Sequence, residues 1–119
     1  MNMKKIEVVI RKTKFDEVRE ALNQASIEFF TFWEVRGVGK SHESRVYRGI
    51  AYDTSTIERM LITFYCREKF LDGAVKAILT SARTGEIGDG KIFISDITDA
   101  YRIRTGERGD KAMYLEGGE

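Results

Sequence analysis

The stretch KIEVVIRKTKFDEVREALNQA, residues 5–25, decides the fold class because the period of its apolar residues changes partway along it. In its first part, Ile6, Val8 and Ile10 occupy every second position, and this alternation predicts a β-strand. From Phe15 onward the apolar residues recur every three or four positions, which predicts a helix of about three turns. The stretch therefore predicts a strand followed directly by a helix.

The rest of the chain repeats this order of elements. Thr13 is the expected N-cap of the first helix, with Asp16 three residues later. Gly37 and Gly39 are expected to end the second strand. Periodicity predicts strands at residues 5–11, 27–36, 57–66 and 91–97, and helices at residues 15–25 and 68–82. The order β-α-β-β-α-β predicts an α+β, ferredoxin-like sandwich, in which both helices cover one face of an antiparallel sheet.

The other face of such a sheet also needs a cover. Phe30, Phe32, Phe64 and Tyr65 all lie on predicted strands, and strand alternation sends some of them to each face. A partner subunit is the simplest cover for the open face.

Composition excludes several classes of protein. The 119 residues fit one domain, and 20 basic residues nearly balance 19 acidic ones, which argues against a protein whose main role is to coat nucleic acid or anionic membrane. Cys66 is the only cysteine, so no intrachain disulfide forms, and it is expected to pack as a small apolar residue. No apolar segment is long enough to span a membrane, and the predicted location is the cytoplasm.

Neither a catalytic site nor a metal site is predicted. His42 is the only histidine, and no cysteine or carboxylate cluster surrounds it in the sequence. We expect an exposed loop histidine there, with no nucleophile–base pair elsewhere.

Residues 37–55 form a long segment without a sustained apolar period. A loop of this length in a small domain is usually functional or mobile. Its basic residues, together with Arg36 just before it, are compatible with a loop that is simply exposed to solvent. Its two large aromatic residues favour the alternative, a loop that docks onto a partner. The residues concerned are Arg36, Lys40, Arg45, Arg48, Tyr47 and Tyr52.

The stretch TGEIGDGK, residues 84–91, allows two interpretations. In the first, Gly85 ends the second helix and Asp89-Gly90 turns the chain into a strand, which leaves Gly88 and Lys91 unexplained. In the second, the glycines let the backbone approach a phosphate and the lysine supplies charge. The stretch is not a Walker loop, because Ile92 stands where Ser or Thr would hold magnesium, and the helix precedes it.

Arg102 and Arg104 lie in a short alternating segment, Tyr101-Arg102-Ile103-Arg104, which is expected to be extended. In an extended segment the two arginines share one face. They form either a solvated charged edge or a clamp for a phosphate.

The sequence resembles the nitrogen-regulatory PII signal-transduction proteins. The resemblance covers residues 3–111 and is strongest in ARTGEIGDGKIFI and YRIRTGERGD; MKKIEVVIRKTKFDEVREAL, EVRGVG and YRGIAY also match. It implies a homotrimer of ferredoxin-like subunits with one PII-like domain at residues 1–112. Residues 37–55 would be the family's T-loop, and residues 113–119 a flexible tail.

The resemblance also implies a ligand and partners. ATP or ADP would bind in a cleft between subunits, and the T-loop would contact an ammonium transporter or an enzyme of nitrogen metabolism, with no nucleic acid and no direct insertion into the membrane. The implied nucleotide-binding residues are Thr31, Gly37, Gly39, Lys40, Gly88, Asp89, Gly90 and Lys91, completed by Arg102 and Arg104 of a neighbouring subunit. The implied partner-binding or modified residues are Tyr47, Arg48 and Tyr52.

The chain departs from the family at Ser41. The family usually has a glutamine there that helps to bind Mg²⁺ and 2-oxoglutarate, whereas serine reaches less far and presents a hydroxyl group. Arg59 still matches a basic residue that pairs with the carboxylate of 2-oxoglutarate. The alternatives left open are a sensor or weak ATPase on the same fold without 2-oxoglutarate sensing, and an RNA-binding module that stacks bases on sheet aromatics.

Overall fold

A computed structural model describes residues 2–38, 45–47, 50–52 and 56–113 of the chain. The six strands are β1 (Met3–Arg11), β2 (Thr31–Val38), β3 (Arg45–Tyr47), β4 (Ile50–Tyr52), β5 (Thr56–Arg67) and β6 (Gly90–Asp96). The helices are α1 (Phe15–Gln24), α2 (Glu68–Ala82) and the short α3 (Asp110–Met113).

The main sheet has four antiparallel strands in the order β2-β5-β1-β6. β1 and β5 are central, and their register pairs Ile6 with Phe64 and Arg11 with Arg59. β2 and β6 form the two edges. This arrangement confirms the predicted α+β class and the antiparallel ferredoxin-like sheet.

The core lies between one face of this sheet and the helices. Alternate residues of the central strands point into it, as the period of two in residues 5–11 predicts. The strands contribute Ile6, Val8, Ile10, Met60, Ile62 and Phe64, and the helices contribute Val18, Leu22, Ala74 and Ile78. Cys66 joins the same cluster, which confirms its predicted packing, and burial raises the pKa of its thiol.

Two predicted boundaries were wrong: the N-cap of the first helix and the first residue of the second strand. Thr13 lies within a single 3-10 turn, and Lys14 stands at the N-cap of α1 without a side-chain hydrogen bond that caps the helix. β2 begins at Thr31 instead of residue 27, because Ser26 adopts a left-handed φ of 70° and the Ile27 N–H donates to the carbonyl of Leu22 at 2.8 Å. Those contacts close the end of α1 and delay the strand.

Gly37 does not end the second strand. β2 runs through Gly37 to Val38, and Gly37 pairs with Ile57 in the antiparallel register. A glycine weakens a strand but does not exclude one where a neighbouring strand supplies the pairing.

Within residues 37–55 the expectation of a segment without regular structure was also wrong. β3 and β4 pair as an antiparallel hairpin, with Tyr47 opposite Ile50. Strands of three residues are too short to produce a detectable period in the sequence.

The segment after β6 is a turn and not an extended strand. Tyr101 forms an isolated bridge with Arg108, and the N–H of Gly106 donates to the carbonyl of Arg102 at 2.7 Å. Ile103 is fully exposed at this turn. The predicted flexible tail lies outside the described residues from position 114 onward, as does His42.

Candidate functional site

The glycine loop, residues 84–90, connects the end of α2 to the start of β6. Arg83 ends the helix with extended backbone angles. Gly85, Gly88 and Gly90 then adopt positive φ values of 89°, 101° and 108°. The turn itself therefore requires all three glycines, including Gly88, so the glycines alone do not establish a ligand site.

The carboxylate of Asp89 organises this loop from within. It accepts hydrogen bonds from the backbone N–H groups of Thr84 at 2.8 Å and Gly85 at 2.9 Å. It also accepts from the Thr84 hydroxyl and from Nε of Arg11, the latter at 3.0 Å. The Thr84 donors, and then Arg11 and Gly85, hold the pKa of Asp89 well below its usual range. Asp89 is therefore ionised and occupied by partners of its own chain.

Two arginines of the central strands bind the carbonyl groups of the same loop. Nη2 of Arg11 donates to the Ile87 carbonyl at 3.0 Å, and Nη1 of Arg59 donates to the Gly88 carbonyl. Arg59 is only 8% exposed, and its burial, with the neighbouring Arg11 charge, lowers the pKa of its guanidinium. The predicted 2-oxoglutarate residue Arg59 thus lies directly beside the predicted phosphate loop.

A groove of about 360 Å³ opens beside the glycine loop, between α2 and the strands β1 and β6. Its walls are largely apolar, and three charged residues, Arg83, Asp89 and Lys91, line it. Lys91 is exposed at the start of β6. An apolar groove with a few charged groups is a common form of small-molecule site.

Other predicted nucleotide-binding residues lie on the opposite edge of the sheet. Thr31 and Gly37 belong to β2, whereas Lys91 belongs to β6, and two strands lie between them. The strand spacing places these edges roughly 14 Å apart. The Thr31 hydroxyl donates to the Thr63 carbonyl at 3.4 Å, which keeps it within its own sheet.

The two predicted clamp arginines occupy a third place. Arg102 is folded into its own turn, where Nη2 donates to the Lys111 carbonyl at 3.3 Å and Nε lies 3.8 Å from a carboxylate oxygen of Glu107. Arg104 is exposed at the turn, so the prediction that both share one face of an extended segment was wrong. Among the described residues, no contact joins either arginine to Lys91, and the turn follows the far end of β6, about 17 Å along the strand.

Sequence reasoning missed Arg11 and Thr84 as partners of Asp89. The Thr84 contact could have been predicted from the closeness of Thr84 and Asp89 in residues 84–91, because a carboxylate commonly caps the backbone of a nearby turn. The Arg11 contact spans 78 positions, and no local pattern announces it.

Several predicted residues fall outside the described part of the chain, namely Gly39, Lys40, Ser41 and Arg48. Tyr47 and Tyr52 lie on β3 and β4 and pair with Ile50 and Arg45. In the part of the chain that the structure describes, no helix is long and apolar enough to cross a membrane, and no cluster of three or more His, Cys, Asp or Glu side chains is arranged to hold a metal ion.

Known proteins with similar sequences and a similar solved structure support this fold. A model of the family described as Nitrogen regulatory protein P-II matches residues 3–107. Proteins of that name from Cereibacter sphaeroides and Microchaete diplosiphon are each 43% identical over 112 residues, covering 93% of this chain and 100% of theirs. The crystal structure of Arabidopsis thaliana PII bound to citrate aligns with a TM-score of 0.75 and 32% identity, covering 93% of this chain and 92% of that one. The resemblance seen in the sequence is confirmed, and the chain belongs to the nitrogen regulatory P-II family.

Proposed function

We propose that this chain is an adenine-nucleotide-sensing regulator that binds ATP or ADP between the subunits of a homotrimer. Its membership of the family makes it a signalling protein of nitrogen regulation, and the family name describes regulators and not enzymes. Our proposal adds three things to that family role: the bound nucleotide, the trimeric assembly and the regulated target.

One observation carries the proposal of a site between subunits. The implied nucleotide-binding residues lie at three separate places of one chain: at β2, at the start of β6 and at the turn after β6. A single nucleotide contacts all of them only if neighbouring chains bring these places together. The apolar groove beside Arg83 and Lys91 supplies one half of such a cleft.

The open face of the sheet supports a trimer. Trp33, Tyr65 and Phe93 lie on the side opposite the helices, as the pairing of their strands shows, and each is about half exposed. Large aromatic residues on an uncovered sheet favour contact with another subunit. Analytical ultracentrifugation of the purified protein measures this directly, and a monomer at micromolar concentration contradicts it.

The regulatory output is proposed to pass through residues 37–55. A nucleotide changes the conformation of that segment only to the extent that it binds one conformation more tightly than another. The proposed target is an ammonium transporter or an enzyme of nitrogen metabolism. Mg²⁺ and 2-oxoglutarate stay predictions, and titration of 2-oxoglutarate with and without Mg-ATP tests them.

Replacement of Lys91 tests the nucleotide site. We expect Lys91→Ala to weaken ATP binding between about ten- and a hundredfold, because the ammonium group supplies charge-assisted hydrogen bonds to phosphate. Isothermal titration calorimetry with ATP and ADP measures the change. Lys76→Ala is the matched control, since Lys76 is exposed on α2 and carries the same charge. Failure of the unsubstituted protein to bind either nucleotide at millimolar concentration refutes the proposal.

A further inference from the structure

We propose that Arg11 and Asp89 are positioning residues, which hold the glycine loop in its phosphate-binding shape without contacting the nucleotide themselves. This inference rests on the proposed function above. It assigns to Asp89 a role different from direct contact with the ligand, and it adds Arg11, which the sequence did not single out.

The carboxylate of Asp89 is occupied by four hydrogen bonds from within its own chain. Oδ2 accepts from two backbone N–H groups, and Oδ1 accepts from the Thr84 hydroxyl and Arg11. The side chain is only 24% exposed. A free carboxylate facing a polyphosphate would repel it, whereas this carboxylate accepts from one guanidinium and three further donors.

The guanidinium of Arg11 ties the loop to the middle of the sheet. Arg11 ends β1, a central strand, and contacts both the Asp89 carboxylate and the Ile87 carbonyl at 3.0 Å. The planar fork of arginine suits two such acceptors, which lysine cannot hold in the same geometry.

The same contacts remove groups that would oppose an anion. Carbonyl oxygens carry partial negative charge, and those of Ile87 and Gly88 are each bound by a guanidinium, from Arg11 and Arg59 respectively. The loop is thereby fixed before the ligand arrives, so binding does not have to order it.

Asp89→Asn separates this role from simple charge effects. Removing a negative charge near a polyphosphate should tighten ATP binding if only long-range electrostatic repulsion mattered. Positioning predicts the opposite sign: roughly tenfold weaker binding, because the amide cannot accept all four hydrogen bonds and the loop loosens. Calorimetric titration of ATP decides between the two signs, and binding as tight as the unsubstituted protein or tighter overturns the inference.

Two uncharged changes at Thr84 provide a matched pair. Thr84→Ser keeps the hydroxyl donor to Asp89 and should bind ATP within about twofold of the unsubstituted protein, whereas Thr84→Val removes it and should weaken binding severalfold. Equal affinities for the two variants contradict positioning. Thermal unfolding of each variant confirms that it is folded.

The outcome also separates this inference from the proposed function. Absence of ATP binding by the unsubstituted protein refutes the nucleotide site itself. Normal binding by the unsubstituted protein together with unchanged binding by Asp89→Asn and Thr84→Val refutes only the positioning role.

Discussion

Gly90→Ala is expected to lower the free energy of unfolding by about 4 kcal/mol or more. A Cβ at this position would lie 1.7 Å from the Val9 carbonyl oxygen and 2.8 Å from its carbonyl carbon. The backbone also has a φ of 108°, which side-chain-bearing residues rarely adopt. Because Val9 belongs to the central strand β1, relief requires movement of the sheet itself. Chemical denaturation at fixed protein concentration measures the loss.

Gly85→Ala is the matched control for that change. Gly85 lies in the same loop with a φ of 89°, but a Cβ there meets nothing within 4 Å. Its cost is therefore limited to the unfavourable backbone angle, about 1–2 kcal/mol. Equal losses in the two variants would show that the close approach to Val9 contributes nothing.

Phe64→Ala is expected to destabilise the protein by about 3–5 kcal/mol. Phe64 is 1% exposed at the centre of β5, opposite Ile6 of β1, and it belongs to the cluster between sheet and helices. Truncation leaves a cavity that rigid strands on both sides cannot close. The midpoint of chemical denaturation should fall without a change of slope.

Phe29→Ala removes the same aromatic ring from a different environment. Phe29 is 72% exposed, just before β2, so the change should cost less than about 0.5 kcal/mol. A comparable loss from both variants would mean that Phe29 is buried by a partner subunit, or that Phe64 does not lie in the core.

The class of fold was predictable from local patterns. The change from a period of two to helical spacing within residues 5–25 depends only on neighbouring side chains, and the structure places the corresponding strand and helix within a few residues of the prediction. Boundaries were less predictable, because the delay of β2 to Thr31 depends on how the chain closes α1 through Ser26 and Ile27. The way in which the chain ends α1 depends on backbone hydrogen bonds, which the spacing of apolar residues does not reveal.

The candidate site was predictable only in part. Gly88, Gly90 and Lys91 were visible as a short motif, but the contacts of Arg11 and Arg59 with the loop join parts of the chain far apart in sequence. Sheet register brings these parts together, and register depends on the whole sheet. The turn after β6 was missed because it depends on the pairing of Tyr101 with Arg108, which a short alternation does not reveal.

The placement of Thr31 and Lys91 on opposite edges of one sheet constrains how subunits can share a site. If the proposed nucleotide site joins Thr31 of one subunit to Lys91 of the next, two different surfaces meet, so that contact is heterologous and closes only as a ring in which each chain faces the next in the same direction. In such a ring the number of sites equals the number of subunits, and each chain belongs to two sites at once. In that arrangement a ligand at one site contacts both chains that form it. Because each chain also belongs to a neighbouring site, binding at one site can change the affinity of the next.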